Sequence, residues 1–239
     1  MANTRFSGPV LYSGANTNAF FAGIGQMPIG INPAYFSIVD DFTGIAFDIT
    51  NDWTELKDSG ASVGIVADTV GGELALTSAA TTDNDGASIQ GNEIFAVAAD
   101  KDIYFSTRLK CNDADQTDIC VGLTLNFATN PEAMLTATDR IVFQVDDGNA
   151  SILCKTEKNG TETSTDSLVD LADNTYVVLS FNVTSTGSVT FFVNGKQVAQ
   201  HTTNIPDDEN LTVAAMSLSG SASGTRVTTL DYLIAAQMR

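Results

Sequence analysis

The chain has 239 residues and carries 29 Asp and Glu against 11 Lys and Arg, a net charge of −18. A surface of that sign repels phosphate, which excludes a basic groove for nucleic acid. The three cysteines, Cys111, Cys120 and Cys154, are odd in number and lack CxxC spacing, which suggests neither a disulfide framework nor a zinc site. No apolar run approaches the ~18 residues needed to cross a bilayer, so no membrane partner is expected. No basic segment followed by an apolar one opens the chain, which points to synthesis in a cytoplasm.

From Met1 to Val39 there is no acidic residue and a single cation, Arg5. This stretch, MANTRFSGPVLYSGANTNAFFAGIGQMPIGINPAYFSIV, is rich in Gly and Asn, and Pro9, Pro28 and Pro33 argue against long regular elements. Residues 1–39 are therefore expected to form an extended arm, and residues 40–239 a folded domain. An uncharged segment bearing Phe6, Tyr12, Phe20, Phe21, Met27, Tyr35 and Phe36 cannot bury these groups locally. It has to pack along its own domain or order on a partner.

After Asp40 the pattern becomes short β-type runs between polar turns. Val63–Asp68 and Glu73–Ser78 read as two strands joined by a tight turn at Gly71-Gly72. In Ile103–Leu109, residues Ile103, Phe105 and Leu109 share one face, with Tyr104, Ser106 and Arg108 on the other. The same period places Ile119, Val121, Leu123, Leu125 and Phe127 on the buried face of the next strand. Pro131 opens one helical turn in the stretch 128–139. RIVFQVDD and ASILCKTEK pair across Gly148-Asn149, and YVVLSFNVT, SVTFFVNGKQVAQHT and LTVAAMSLS follow. Asn194-Gly195 suits a type I′ turn, which needs positive φ at both central residues. The expected fold is all-β, an antiparallel two-sheet sandwich behind an irregular arm.

The phrases DDFTG (40–44), GGELALTS (71–78), IYFSTRLK (103–110), YVVLSFNVTSTGSVTFFVNGKQVA (176–199) and TTLDYLIA (228–235) resemble the concanavalin A-like jelly rolls of lectins, laminin G-type modules and some glucanases. The jelly-roll glucanases resemble one another in an E-x-D-x-x-E strand, which this chain lacks. Its acids fall mainly in turn clusters instead, such as Asp83/Asp85, Asp113/Asp115/Asp118 and Asp207/Asp208/Glu209. A retaining pair of carboxylates has to sit ~5 Å apart on one face. With no G-x-S-x-G elbow and a single imidazole, His201, nucleophilic hydrolysis finds no support either. His201 is read as a surface or half-buried histidine. No catalytic residue and no cofactor-binding or metal residue is assigned, and the chain is read as a non-enzyme. Calcium, which related lectin and laminin G modules often bind, is weighed at the loops 112–118 and 82–88 against solvated polar turns. For sugar, the one stacking candidate is the single tryptophan, Trp53, which a packed position at the sandwich edge explains as well.

MANTRFSGPV also resembles the opening of small structural proteins of tailed bacteriophages. That resemblance implies a virion protein on the outer surface of the capsid, a cement or decoration protein whose partner is the major capsid protein or another virion protein. It also implies a homo-oligomer, with a trimer among the options. Arg5, Phe6, Pro9, Tyr12, Phe20, Phe21 and Met27 are then the partner-binding residues of the arm. The alternative is a lectin-like tail or surface appendage that recognises host glycans.

Overall fold

Each β-run has one apolar and one polar side, and two sheets that face their apolar sides together bury both at once. The computed structural model describes residues 35–50, 52–79, 82–184, 187–220 and 224–239. The first strands are β1 (Tyr35–Asp40), β2 (Thr54–Lys57), β3 (Ser62–Ile65), β4 (Leu74–Thr77), β5 (Gly86–Gln90) and β6 (Phe95–Ala96). Next come β7 (Ile103–Cys111), β8 (Thr117–Thr124), β9 (Arg140–Asp146), β10 (Asn149–Lys158) and β11 (Thr161–Asp170). The chain closes with β12 (Val177–Thr184), β13 (Ser188–Val193), β14 (Lys196–His201), β15 (Asn210–Ser219) and β16 (Val227–Met238).

One sheet runs β14-β13-β12-β7-β16-β4-β3, with β1 also pairing β16; the other runs β11-β10-β9-β8-β15-β5-β2, with β6 pairing β15. All the pairings are antiparallel. Between the sheets lies one continuous core that includes Phe105, Phe143, Phe181 and Phe191. Phe181 stacks on Phe105 at 4.9 Å, and Phe191 meets Phe143 edge-on at 5.2 Å, both favoured aromatic geometries.

The structure moves several expected boundaries. Tyr35–Val39, assigned to the arm by their lack of charge, belong to the sandwich: β1 pairs with β16 from Tyr35↔Met238 to Asp40↔Leu233, and Phe36 packs on Phe95 at 5.4 Å. The link between β3 and β4 is a longer loop rather than a tight turn, with positive φ at Asp68, Gly71 and Gly72. Strand β8 is buried on both faces, not one. It ends at Thr124; Leu125 still packs against the main core, as expected, whereas Phe127 folds over the outer side of the second sheet.

There Phe127 joins Cys120, Met134, Val142, Ala214, Met216 and Leu218 in a second apolar cluster. Asn126 donates its backbone N–H to Glu93, and Gln90 grips Phe127 twice, accepting from its N–H at 3.1 Å and donating to its carbonyl at 2.6 Å. The expected helical turn is a 3-10 turn, Pro131–Met134, capped by the Asn130 side chain accepting from Ala133 N–H. Asn194 and Gly195 have φ of 51° and 76°, as the type I′ turn requires.

Candidate functional site

The arm residues Arg5, Phe6, Pro9, Tyr12, Phe20, Phe21 and Met27 lie outside the described residues. What the structure supplies is the place where their segment joins the sandwich. Among the described residues, the edge strands differ in kind. β14 (KQVAQH) and β11 (TETSTDSLVD) are polar, and β2 (TELK) and β3 (SVGI) have four residues each. These are the usual ways of keeping a sheet edge from pairing with another chain. β1 (YFSIVD) is different: six residues, largely apolar, with Val39 45% exposed.

Beside β1 runs a groove of about 340 Å³, lined on one side by Ile38, Val39 and Asp40 and on the other by Trp53, Asn92 and Ile94. Ile94 is 43% exposed. The Asp40 carboxylate fixes the floor: it accepts from Phe42 N–H at 2.8 Å and from the Trp53 indole N–H at 2.9 Å. Just past β1, Gly72 lets the β3–β4 loop pass close to the backbone, because a β-carbon on it would meet the carbonyl oxygens of Asp41 and Phe42 at 2.5 Å.

Trp53 is 5% exposed and stacks on Phe47 at 6.0 Å. Its ring is packed at the sandwich edge and is not a free platform for a sugar. Sequence reasoning missed the groove because it placed β1 in the arm. The alternation of Phe36 and Ile38, which pack on the core, with Ser37 and Val39 was the available signal.

The outer face of the second sheet carries a dense set of charges. Arg140 is buried and donates from Nε to Glu157 at 2.7 Å, from Nη2 to Glu162 at 3.0 Å, and from Nη1 to Gln144 at 3.2 Å and the Met134 carbonyl at 3.3 Å. Lys155 adds a second cation 3.3 Å from Glu162. Glu157 and Glu162 sit opposite each other in the β10–β11 register, yet both close on the same guanidinium. A glycosidase acid sits in an apolar pocket; these two carboxylates lie among cations instead.

His201 is buried rather than at the surface. Its Nδ1 lies 3.0 Å from Thr156 Oγ1 and its Nε2 lies 3.0 Å from Thr165 Oγ1, while Phe191 meets the ring edge-on. Thr156 gives its own proton to the Thr203 carbonyl at 3.1 Å. Nδ1 therefore carries the hydrogen, and Nε2 accepts from Thr165. Burial pulls the imidazole below its ordinary pKa. The ring is a neutral tie between β14 of one sheet and β10 and β11 of the other.

In the acidic loops, Asp113 pairs with Arg226 at 3.3 Å and Asp118 accepts from Asp147 N–H at 2.7 Å. Burial, with Asp147, Asp146 and Asp83 nearby, pushes the Asp118 carboxyl up to about 6. Asp207 and Asp208 share Lys158. Among the described residues, no group of three or more His, Cys, Asp or Glu side chains is placed to hold a metal ion. The thiols of Cys111, Cys120 and Cys154 are buried and pushed up by that burial, to about 11 for Cys111 and about 12 for the other two.

Residues 68–234 match the family model described as SO2946-like, C-terminal domain. Among solved structures, the protein of unknown function SO2946 from Shewanella oneidensis MR-1 is similar at 17% identity and a TM-score of 0.61, over 94% of this chain and 95% of that one. An endo-1,3-β-glucanase from Streptomyces sioyaensis is similar at 13% identity and a TM-score of 0.61, covering 87% of this chain and 98% of the glucanase. A Bacteroides ovatus mixed-linkage glucan GH16 protein follows at 11% identity and a TM-score of 0.60, over 82% and 98%. These likenesses are of fold: the domain is a concanavalin A-like jelly roll. No curated protein matches the chain by sequence.

Proposed function

The chain belongs to the SO2946-like family through its C-terminal domain, and on that footing we propose that it is a non-enzymatic structural protein, attached to a larger assembly by its N-terminal segment. The assembly is the virion named by the resemblance of MANTRFSGPV, and the role is that of a capsid decoration or cement protein. One observation carries this reading: the uncharged, aromatic-bearing segment enters the sandwich at β1, the one long apolar edge among the described residues, beside a groove with exposed Val39 and Ile94. A segment leaving from an edge can reach a partner without disturbing the core. Each aromatic that it buries there would contribute about 1.5–3 kcal/mol.

The paired carboxylates on the second sheet support the non-enzymatic part of the reading. Glu157 and Glu162 are spent on Arg140, and the segment 125–139 covers the neighbouring apolar surface.

Deleting residues 2–21 tests the proposal. Expected is loss of the protein from purified particles while the truncated chain keeps its β-rich circular dichroism spectrum. Undiminished copy number would refute the segment as the anchor. Specific binding on a glycan array, with no association with particles, would favour the lectin-like appendage instead.

A further inference from the structure

Among the described residues, the large apolar side chains left exposed are Val39, Ile45, Ile49, Val70, Ile94 and Leu168. Singly, such residues are ordinary on a protein surface. Five of these six, all but Leu168, gather at one corner of the sandwich, around the segment that follows β1. There Phe47 packs on Phe42 at 6.2 Å and on Trp53 at 6.0 Å, which ties the loop between β1 and β2 to the domain. Ile45 and Ile49 flank Phe47 in that loop and stay exposed. Trp53 lines the groove beside β1, and Phe42 lines a second groove of about 520 Å³. This second groove lies between residues 42–45 and the β3–β4 loop, which carries the exposed Val70.

The charge around these grooves is one-sided. Between Arg5 and Lys101 the sequence has one cation, Lys57, and it is held by Glu55. From Asp40 to Asp100 it has twelve acids. Lys110 reaches the end of the β3–β4 loop but is spent on Glu73, and Arg239 lies over Phe36 at the far end of β1. Asp41, Asp52 and Asp68 are exposed at the corner and form no ion pair among the described residues.

We infer that this corner is a docking surface for another protein, one whose matching face offers apolar side chains to the two grooves and Lys or Arg to the carboxylates around them. An apolar centre inside a charged rim is the anatomy of a protein interface. Opposite charge selects the partner and steers its approach. A second copy of this chain would bring the same acids, and like charges set against each other repel. An anionic lipid surface is repelled in the same way. The chain's own first 34 residues have one cationic side chain, Arg5, to set against three carboxylates. The inference does not depend on what the N-terminal segment binds, since the corner belongs to the folded domain.

Trp53 is the chain's single tryptophan and lies in the corner, so its fluorescence reads occupancy there. The full-length protein is titrated with three tryptophan-free peptides: an amphipathic one of Leu and Lys, one with Glu instead of each Lys, and one with Ser instead of each Leu. Saturable binding of the Leu/Lys peptide is expected, about tenfold or more tighter than either control. Ile45→Ser combined with Val70→Ser should weaken it about tenfold or more, the worth of two aliphatic side chains buried in part. Asp41→Asn combined with Asp68→Asn should weaken it as well, whereas Leu168→Ser should leave it unchanged. No binding, equal binding of the Ser/Lys peptide, or an equal loss with Leu168→Ser would overturn the inference. So would a dimer, seen by sedimentation, that the Ile45 and Val70 substitutions abolish, which would assign the corner to a second copy. Binding that appears only after residues 2–21 are deleted would assign the corner to the chain itself and overturn it too.

Discussion

At the scale of single residues, two of the buried titratable groups, Asp118 and His201, act in opposite directions. Asp118 is raised to about 6 from an ordinary 3.8, so the folded state holds its proton more tightly than the unfolded chain does. The stability it supplies is full below pH 3.8 and is lost as pH rises through 6. His201 is lowered, and its contribution is full above its ordinary 6.5 and lost as pH falls through its lower folded value. Asp118→Asn keeps an oxygen for Asp147 N–H and removes the buried charge. It should stabilise the protein at pH 8, by on the order of 2–3 kcal/mol, with little effect at pH 4, as read by urea unfolding at the two values. Equal effects at both would contradict the burial argument. Gln90 makes a simpler case: its side chain satisfies both backbone groups of Phe127. Gln90→Ala should cost about 2–4 kcal/mol, because two buried groups lose their partners together.

At the scale of elements, the strands that were legible in the sequence are the apolar ones, whether one face is buried, as in β13, or both, as in β8 and β15. β13 alternates cleanly and β7 nearly so, because one side of each lies over the common core. β11 was not, since TETSTDSLVD is an edge strand whose side chains are mostly exposed, and nothing apolar marks it. The sign that could have found it is Asn159-Gly160, whose φ values of 50° and 74° make the same kind of turn as Asn194-Gly195. Phe127, in the segment 125–139, was misread for a different reason. Phe127 continues the period of β8 in sequence but turns to the opposite face in space, where Gln90 and Met134 hold it. Met134 is fully buried in that second cluster. Met134→Ala should cost about 2–5 kcal/mol in chemical unfolding. A loss below 1 kcal/mol would show that the segment is only loosely laid on the sheet. Of the candidate site, the apolar edge and its groove were not legible, because they depend on β1 meeting β16 across the length of the chain.

At the scale of the whole molecule, the charge is segregated: every acid lies from Asp40 onward, and the first 39 residues hold only Arg5. Self-repulsion among acids opposes the compact state, and added salt screens it. The melting temperature should therefore rise between low ionic strength and ~0.15 M salt, where the screening length falls to ~8 Å. A flat response by scanning calorimetry would mean that the acids are already locally paired, as Asp113 and Asp207 are. Segregation also explains the division of labour proposed for the chain, since a segment without charge has little to desolvate when it lies against another protein. The measurement that tests this account most directly is a cryo-electron microscopy image of purified particles carrying the chain. The account predicts many copies of a two-sheet sandwich on the outer capsid surface, each joined to the shell through density that continues from the β1 edge. Particles without that density, or a sandwich joined to the shell through another face, would contradict it.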